Sequence, residues 1–198
     1  MKVLAIGSEA VIMDKGNTIV KIRKRKGYRI KDLDEKLRKR RTKAEFNIMK
    51  KLYEKGVKVP KPISIDENKK EINMEKIIGK RLSEQFEIND SSEIGRVVAE
   101  MHNVGVIHGD LTTANMVKNK EGIFLIDFGL SYYSGKDEDI ASDLFLFKNA
   151  LKSKHNDLYK EAYSKFLDEY KRYIRKEFKG IDTHLKDIER RRRYNESY

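Results

Sequence analysis

The sequence predicts an α+β fold in two lobes, a five-stranded antiparallel sheet with one long helix followed by a small, mostly helical lobe. Three patterns predict this fold class. Short β-type segments with tight-turn signals fill the first 75 residues, one long helix-type segment interrupts them, and helical periodicity dominates the remainder. We expect the lobes to divide near Ile77–Gly79, into residues 1–77 and 78–198.

The first lobe is predicted to hold five strands and one helix. Gly16-Asn17 is a tight-turn pair between the second and third strands, and Gly56 is a helix stop signal. The predicted strands are Lys2–Ile6, Ala10–Asp14, Thr18–Arg23, Ile63–Ile65 and Glu71–Met74. The predicted helix runs from Asp32 to Glu54, and its apolar face comprises Leu33, Leu37, Phe46, Ile48, Met49 and Leu52.

The second lobe is predicted to begin with a helix that Ser91-Ser92 caps. A dense loop follows over Val106–Asn115. The elements predicted after this loop are strands at Met116–Val117 and Ile123–Ile126 and helices from about Asp139 to the chain end.

The charge of the chain is large and unevenly distributed. There are 44 Lys and Arg against 32 Asp and Glu, a formal net charge of +12, and residues 21–43 hold 13 of the basic residues but only three acids. This basic window indicates either an anionic partner or a solvated helix face.

Composition also excludes several classes of site and location. Cysteine is absent, so disulfides, thiolate metal sites and cysteine nucleophiles are excluded. Apolar runs are too short to span a bilayer, and Gly7, Ser8 and Glu9 break the apolar start of the chain. We therefore expect a cytoplasmic protein without a membrane partner.

The strongest chemical signal is the segment His108–Asn115, followed twelve residues later by Asp127-Phe128-Gly129. Phosphoryl transfer needs metal ions held against phosphates and a carboxylate that orients the acceptor hydroxyl. Asp110 is the candidate base, while Asn115 and Asp127 carry the hard oxygen ligands that suit Mg²⁺. The alternative is that these residues only form turns and a strand end. The arrangement resembles the catalytic loop and metal triad of protein kinases.

A kinase-like site also needs a lysine on the third strand to bind the α- and β-phosphates, and Lys21 closes the apolar strand Thr18–Arg23. A buried lysine requires a partner, and Glu45 on the predicted helix is the first candidate. A capping box over Thr42–Glu45 is the competing interpretation of Glu45. Glu54 is the second candidate partner.

The remaining nucleotide contacts are predicted by position. The hairpin Ile6-Gly7-Ser8-Glu9-Ala10 stands where kinases have a glycine-rich loop that covers phosphates. Met74 is expected to line the adenine pocket, although it suits a plain core equally well. Backbone groups of Glu75 and Ile77 are expected to bond the base.

Taken together, the motifs resemble the small atypical kinase/ATPase subunit of the KEOPS (EKC) complex, the p53-related protein kinase family, which is related to RIO-type kinases. The segments that carry this resemblance are Val20–Arg23, Lys26–Arg29, Arg40–Thr42 with Glu45, Met74-Glu75, His108–Asn115, Ile126–Ser131, Asp143-Leu144 and Glu189–Arg193. They extend over nearly the whole chain. The resemblance implies a bilobal protein-kinase-like fold whose second lobe is minimal and ends in a basic tail.

The resemblance also implies an activity and partners. The activity is ATP hydrolysis and Ser/Thr kinase chemistry with ATP and Mg²⁺, in support of threonylcarbamoyladenosine modification of tRNA. The implied partners are the tRNA-threonylcarbamoyl transferase, which is fused to the kinase in some organisms, the other KEOPS subunits, and tRNA. The residues expected to contact tRNA or a partner are Arg38, Lys39, Arg40, Arg41, Arg190, Arg191, Arg192 and Arg193.

Two features depart from ordinary protein kinases. Gly109 stands where many kinases have an arginine that pairs with a phosphorylated activation loop, so that switch lacks its receptor. Only about ten residues separate Gly129 from the next predicted helix, which leaves no room for a long peptide-docking loop. Asp143 resembles the helix aspartate that ties down the catalytic loop, or it is an ordinary surface acid.

Two other functions remain open from the sequence. Aminoglycoside- and choline-type phosphotransferases have a similar loop, but residues 109–198 hold 18 basic and 16 acidic residues, which disfavours cationic acceptors. A non-catalytic tRNA-binding scaffold would make the catalytic residues dispensable, whereas Lys21, Asp110, Asn115 and Asp127 are all present.

Overall fold

A computed structural model describes residues 2–195 of the chain, with side chains described for residues 2–192. These residues divide between Ile77 and Ile78 into two compact units, each with its own core. Within the described residues no helix is both long enough and apolar enough to cross a membrane.

The first unit is an antiparallel sheet with one long helix, as predicted. The sheet has the strand order β1-β2-β3-β5-β4, and helix α1 connects β3 to β4. The elements are β1 (Lys2–Ile6), β2 (Ala10–Asp14), β3 (Thr18–Arg23), α1 (Lys31–Glu54), β4 (Pro62–Asp66) and β5 (Glu71–Glu75). The core of the unit includes Val20, Ile48, Met49, Leu52, Val57 and Ile72.

The predicted apolar face of α1 is correct only in its second half. Ile48, Met49 and Leu52 are buried, but Leu33 is half exposed, and Asp34 is fully buried in its place. The Asp34 carboxylate accepts hydrogen bonds from the Lys26 backbone N–H and the Arg38 guanidinium, so a polar contact fixes the start of the helix. Hydrophobic periodicity alone cannot predict such a contact.

The second unit is mostly helical and has two small sheets. Its strands are β6 (Lys80–Arg81), β7 (Val106–Ile107), β8 (Met116–Asn119), β9 (Gly122–Leu125) and β10 (Tyr132–Tyr133). β6, β8 and β9 form one sheet, and β7 pairs with β10. The helices are α2 (Asp90–Asn103), α3 (Asp137–Lys154), α4 (Tyr159–Tyr173) and α5 (Phe178–Asn195).

Helix α2 begins one residue earlier than the predicted cap. Ser91 and Ser92 lie inside the helix, and the Asp90 carboxylate accepts the Glu87 backbone N–H in the preceding turn. The predicted serine cap is therefore wrong. Helices α2 and α4 pack closely at Gly95, where any side chain would collide with the Phe166 carbonyl oxygen. Such packing builds a core that includes Ile94, Val98, Met101, Phe147, Phe166 and Tyr170.

Candidate active site

In the first unit, Lys21 and Glu45 form a buried ion pair. The Lys21 Nζ lies 2.6 Å from Glu45 Oε1, and the side chains are 7% and 2% exposed. The second carboxylate oxygen, Oε2, accepts a hydrogen bond from the Arg23 guanidinium. Lys21 and Arg23 are two residues apart on β3 and therefore point to the same face of the sheet, toward α1.

The alternatives for Glu45 do not fit this geometry. Helix α1 begins at Lys31, so Thr42 lies in its interior, and the Thr42 hydroxyl donates to the Arg38 carbonyl oxygen. A capping box over Thr42–Glu45 is therefore wrong. Glu54 is exposed at the end of α1, where its carboxylate lies 3.8 Å from the Lys50 ammonium.

The predicted phosphate-covering segment, Ile6–Ala10, is a tight hairpin between β1 and β2. The Gly7 N–H donates to the Ala10 carbonyl oxygen at 2.9 Å. Two cations bind the tip of this hairpin, because the Glu9 carboxylate forms ion pairs with Lys26 and Arg41. The Lys26 ammonium also donates a hydrogen bond to the Ser8 carbonyl oxygen. The hydrogen bond from Lys26 lowers the pKa of the Glu9 carboxyl.

The residues predicted to contact the base lie at the end of the first unit. Met74 is half-buried on β5 and stands opposite Ile19 of β3. Glu75 follows it, and its exposed side chain accepts the Lys61 backbone N–H at 3.0 Å. Ile77 is half-buried at the unit boundary. The backbone roles given to Glu75 and Ile77 stay predictions.

In the second unit, Asp110 and Asn115 are in direct contact. The Asn115 amide Nδ2 donates to both the Asp110 carbonyl oxygen and Asp110 Oδ2, each at 2.9 Å. A short 3-10 turn, Thr113–Asn115, brings the two side chains together. With Nδ2 engaged in these bonds, the amide oxygen of Asn115 is the atom left to act as a ligand.

Asp127 follows the end of strand β9 in a left-handed backbone conformation with φ of 63°. Such a conformation is costly for a residue other than glycine and is typical of functional sites. The Gly129 N–H donates to Asp127 Oδ1 at 3.2 Å, and the Ile126 N–H donates to the Asn115 carbonyl oxygen at 2.9 Å. The backbone thus ties the segment that carries Asp127 to the turn that carries Asn115.

His108 supports this loop from the core. Because a carbonyl oxygen only accepts, the His108 Nε2–H donates to Ile126 at 3.2 Å, and Nδ1 then accepts the Asp110 backbone N–H at 3.3 Å. Burial lowers the pKa of His108, which favours this neutral form. His108 therefore links the residue before Asp127 to the candidate base.

Asp143 on α3 is buried and bonds the backbone of the loop that carries Asp110, as the resemblance to a loop-holding helix aspartate leads us to expect. Its carboxylate accepts the backbone N–H groups of His108 at 2.6 Å and Gly109 at 2.9 Å, and the His102 imidazole at 3.2 Å. Burial raises the pKa of Asp143, but the hydrogen bonds from the His102 imidazole and from the His108 backbone N–H outweigh it and lower the pKa overall.

Sequence reasoning missed two members of this network. His102 lies on α2, and its Nδ1 is 2.8 Å from the hydroxyl oxygen of Tyr170 on α4, 68 residues away. Both side chains are buried. An isolated His and Tyr on apolar helix faces carry no sequence signal for such a contact, because it depends on how three helices pack.

The backbone conformation and close packing at position 109 require a glycine. Its φ is +77°, and a Cβ atom there would lie 2.5 Å from the Leu130 carbonyl oxygen. The position therefore excludes the arginine that many kinases carry. The segment after Asp127 is held instead by the Ser131 hydroxyl, which donates to the His108 carbonyl oxygen at 2.8 Å.

The residues predicted to contact tRNA or a partner differ in whether their side chains form ion pairs within the chain. In the first unit, Arg38 pairs with Asp34, Lys39 with Glu67 and Arg41 with Glu9, whereas Arg40 is exposed. The neutralising acids that the basic window lacks thus come partly from other elements. The first unit nevertheless carries the whole excess charge, with 23 Lys and Arg against 11 Asp and Glu in residues 1–77.

On α5, Arg190 pairs with Asp187 at 3.0 Å, and the Arg192 guanidinium lies 5.3 Å from the centre of the Phe145 ring. Arg191 is exposed. The side chain of Arg193 lies outside the described residues.

Comparison with known proteins identifies the family. A model of the RIO domain matches residues 12–145. The EKC/KEOPS complex subunit BUD32 of Enterocytozoon bieneusi is 42% identical over 175 residues, which cover 79% of this chain and 85% of that protein. The chain belongs to the RIO domain family and to its KEOPS Bud32 branch. The resemblance inferred from the sequence is thereby confirmed, and with it the assignment to the protein kinases.

Other relatives of this RIO domain differ in length. The probable bifunctional tRNA threonylcarbamoyladenosine biosynthesis protein of Methanococcus maripaludis is 37% identical over 180 residues, or 89% of this chain. The chain spans only 32% of that protein. The probable serine/threonine-protein kinase BUD32 homolog of Archaeoglobus fulgidus is 38% identical over 148 residues, which cover 75% of each chain.

A solved structure agrees with the fold of the RIO domain. The Rio2 kinase of Chaetomium thermophilum, in a complex with ADP, Mg²⁺ and phosphoaspartate, matches with a TM-score of 0.63 and 20% identity. The match covers 96% of this chain and 70% of that chain. The predicted α+β, protein-kinase-like fold class is therefore confirmed.

Proposed function

We propose that this RIO domain is a Mg²⁺-dependent ATPase and atypical Ser/Thr kinase that supports threonylcarbamoyladenosine modification of tRNA as a subunit of the KEOPS complex. One observation carries the proposal. The side-chain NH₂ of Asn115 donates to the Asp110 carboxylate, and the backbone carbonyl oxygen of Asn115 accepts the N–H of Ile126, the residue before Asp127. A candidate base and two candidate metal ligands are thus fixed on one hydrogen-bonded framework.

The donor set fits Mg²⁺. Asp127 offers a carboxylate and Asn115 an amide oxygen, and both are hard ligands. Among the side chains that the structure describes, no group of three or more His, Cys, Asp or Glu is arranged to hold a metal by itself. This fits an ion that is held by one or two protein ligands and by substrate phosphates. When bound, Mg²⁺ neutralises phosphate charge that develops during transfer.

The residues of the chain then divide the work. The ammonium of Lys21 binds the α- and β-phosphates, and Glu45 keeps that ammonium in place. Backbone N–H groups of the Ile6–Ala10 hairpin, other than the Gly7 N–H that closes it, cover the phosphates. Met74, Glu75 and Ile77 contact the adenine. Asp110 takes the proton of the acceptor hydroxyl or water. The acceptor oxygen then bonds the γ-phosphorus, and the bond between the γ-phosphorus and the leaving ADP oxygen breaks.

The family context supports the cellular role. A relative that the chain matches over most of its length is named a KEOPS subunit, and the longer relative is named a bifunctional biosynthesis protein for threonylcarbamoyladenosine. We therefore propose the tRNA-threonylcarbamoyl transferase, the other KEOPS subunits and tRNA as partners. The basic first unit supplies charge for tRNA phosphates.

Release of phosphate from ATP tests this proposal when measured with the chain alone, with tRNA, and with tRNA plus the transferase. The proposal expects Mg²⁺-dependent turnover that both additions stimulate. A small-molecule phosphotransferase would instead be stimulated only by its acceptor. Absence of turnover under all three conditions would contradict an enzymatic role and favour a scaffold.

A further inference from the structure

The 3-10 turn Thr113–Asn115 has a side-chain contact that the proposed function does not use. Thr113 is buried, and its hydroxyl oxygen lies 3.3 Å from Nε2 of His155. His155 directly follows helix α3, 42 residues further along the chain. The contact therefore joins the end of α3 to the turn that carries Asn115, a candidate metal ligand.

The surroundings of the His155 imidazole fix its position. The ring stacks on Phe86, with ring centres 4.6 Å apart and an interplanar angle of 30°. The backbone N–H of His155 donates to the Leu151 carbonyl oxygen at 2.7 Å, and its carbonyl oxygen accepts the Leu158 N–H at 3.0 Å. The ring therefore meets the Thr113 hydroxyl at a defined place.

The contact does not require a charged imidazole. Burial lowers the pKa of His155, and the neighbouring Lys154 ammonium lowers it further. The neutral ring has one donor and one acceptor nitrogen, and a threonine hydroxyl can donate or accept. Nε2 can thus bond Thr113 in either neutral tautomer, and a neutral amide at the same place can form the same bond.

Helix α3 and the residue after it contact the candidate catalytic loop at two places. Asp143 of α3 accepts two backbone N–H groups that come just before Asp110. His155 bonds Thr113, which comes three residues after Asp110. The candidate base therefore lies between two contacts with one rigid helix.

We propose that His155 is a positioning residue for phosphoryl transfer. Its bond to Thr113 holds the 3-10 turn so that the Asn115 side chain stays against the Asp110 carboxylate. The inference rests on the proposed function, in which Asp110 is the base and Asn115 a metal ligand. Loss of the bond lets the turn shift, and small displacements of catalytic groups lower the rate of the reaction.

The competing explanation is that His155 only fills space beside Phe86. The turn is also held from another direction, because the Thr113 carbonyl oxygen accepts the Ser83 N–H at 3.0 Å. Two replacements of this half-buried residue separate its ring from its hydrogen bond. His155→Phe keeps an aromatic ring against Phe86 but cannot bond Thr113. His155→Gln loses the ring but places an amide where Nε2 lies.

Three further variants complete the test. Thr113→Val removes the hydroxyl from the other side of the bond and keeps the shape of the side chain. The double variant Thr113→Val/His155→Phe shows whether the two single changes remove the same interaction. His184→Phe is the matched control, because it makes the same replacement at a half-buried histidine on α5.

The measurements are kcat and KM for Mg·ATP, from phosphate release, and the unfolding temperature of each variant. We expect roughly a fivefold lower kcat in His155→Phe and in Thr113→Val, with KM within about twofold of the wild type. The double variant should be no slower than the single variants. His155→Gln should keep at least about half of the wild-type kcat because it restores the bond, and His184→Phe should keep all of it.

A wild-type kcat in a folded His155→Phe or a folded Thr113→Val would overturn the inference. An equal loss of kcat in His155→Gln or His184→Phe would also overturn it, because the hydrogen bond would then not be the cause. A wild-type chain that turns over no ATP would overturn the proposed function, and the inference with it. The two kinds of failure are distinguishable, because the first requires an active wild type.

Discussion

Replacing Asp143 by asparagine tests how strongly its carboxylate stabilises the loop His108–Asn115. The carboxylate accepts three N–H groups, so an amide in its place must direct its NH₂ toward at least one of them. A hydrogen bond to a charged group contributes about 1.5–3 kcal/mol, and a buried donor left without an acceptor costs about 1–3 kcal/mol. We therefore expect a loss of about 2–5 kcal/mol in the free energy of unfolding.

The dependence of this loss on pH gives a sharper test. The folded pKa of Asp143 is lowered. Its carboxylate therefore contributes stability above the unfolded pKa of about 3.9, and this contribution is lost as pH falls through the folded pKa. The difference between wild type and Asp143→Asn should be largest near neutral pH and should narrow in acid.

Urea unfolding at several pH values, followed by circular dichroism, measures both effects. Asp139→Asn is the control, because Asp139 lies on the same helix but bonds the hydroxyls of Ser134 and Tyr132. It should cost less than Asp143→Asn, because both partners of Asp139 are neutral hydroxyl groups. A loss below about 0.5 kcal/mol for Asp143→Asn, within the usual range of surface substitutions, would refute the reasoning.

Three further variants probe the site and the basic surface. Asp110→Ala should lower kcat by a factor on the order of 10²–10⁴ if it acts as a positioned base, and stopped-time ADP assays measure the loss. Tyr170→Phe should lower kcat without raising KM, because it removes the hydroxyl that bonds the His102 imidazole, and His102 in turn bonds Asp143. Tyr163→Phe is the control: it removes a buried hydroxyl on the same helix that bonds the Leu144 carbonyl oxygen, and it should leave kcat unchanged. The double variant Lys36→Glu/Arg40→Glu should weaken tRNA binding and reduce the slope of log K against log salt concentration by about two, measured by filter binding. An unchanged slope would show that this face contacts solvent or protein rather than tRNA.

The sequence was informative wherever local rules decide the structure. Strand bounds at Thr18–Arg23 follow from β-branched residues and the Gly16-Asn17 turn, and the placement of Asp110 and Asn115 on one loop follows from their short spacing. The ion pair of Lys21 with Glu45 also agrees with its prediction.

The remainder depends on packing between distant segments. The two-residue period of the predicted strand places Arg23 on the same face as Lys21, but the burial of Arg23 depends on helix α1 covering that face. The same holds for the bond of His102 to Tyr170, which requires α2 and α4 to lie side by side. The predicted serine cap is wrong because the helix begins at Asp90, so Ser91 and Ser92 already lie inside it, and Asn89 before it makes no side-chain capping bond.

The most direct test of the proposed activity is phosphate release from ATP by the wild type and by Asp127→Ala, each with and without Mg²⁺. Asp168→Ala, an exposed acid on α4, controls for the change in charge. We expect Mg²⁺-dependent turnover in the wild type and in Asp168→Ala, and none in a folded Asp127→Ala. Undiminished turnover in Asp127→Ala would contradict the assignment of the metal ligand and the mechanism built on it.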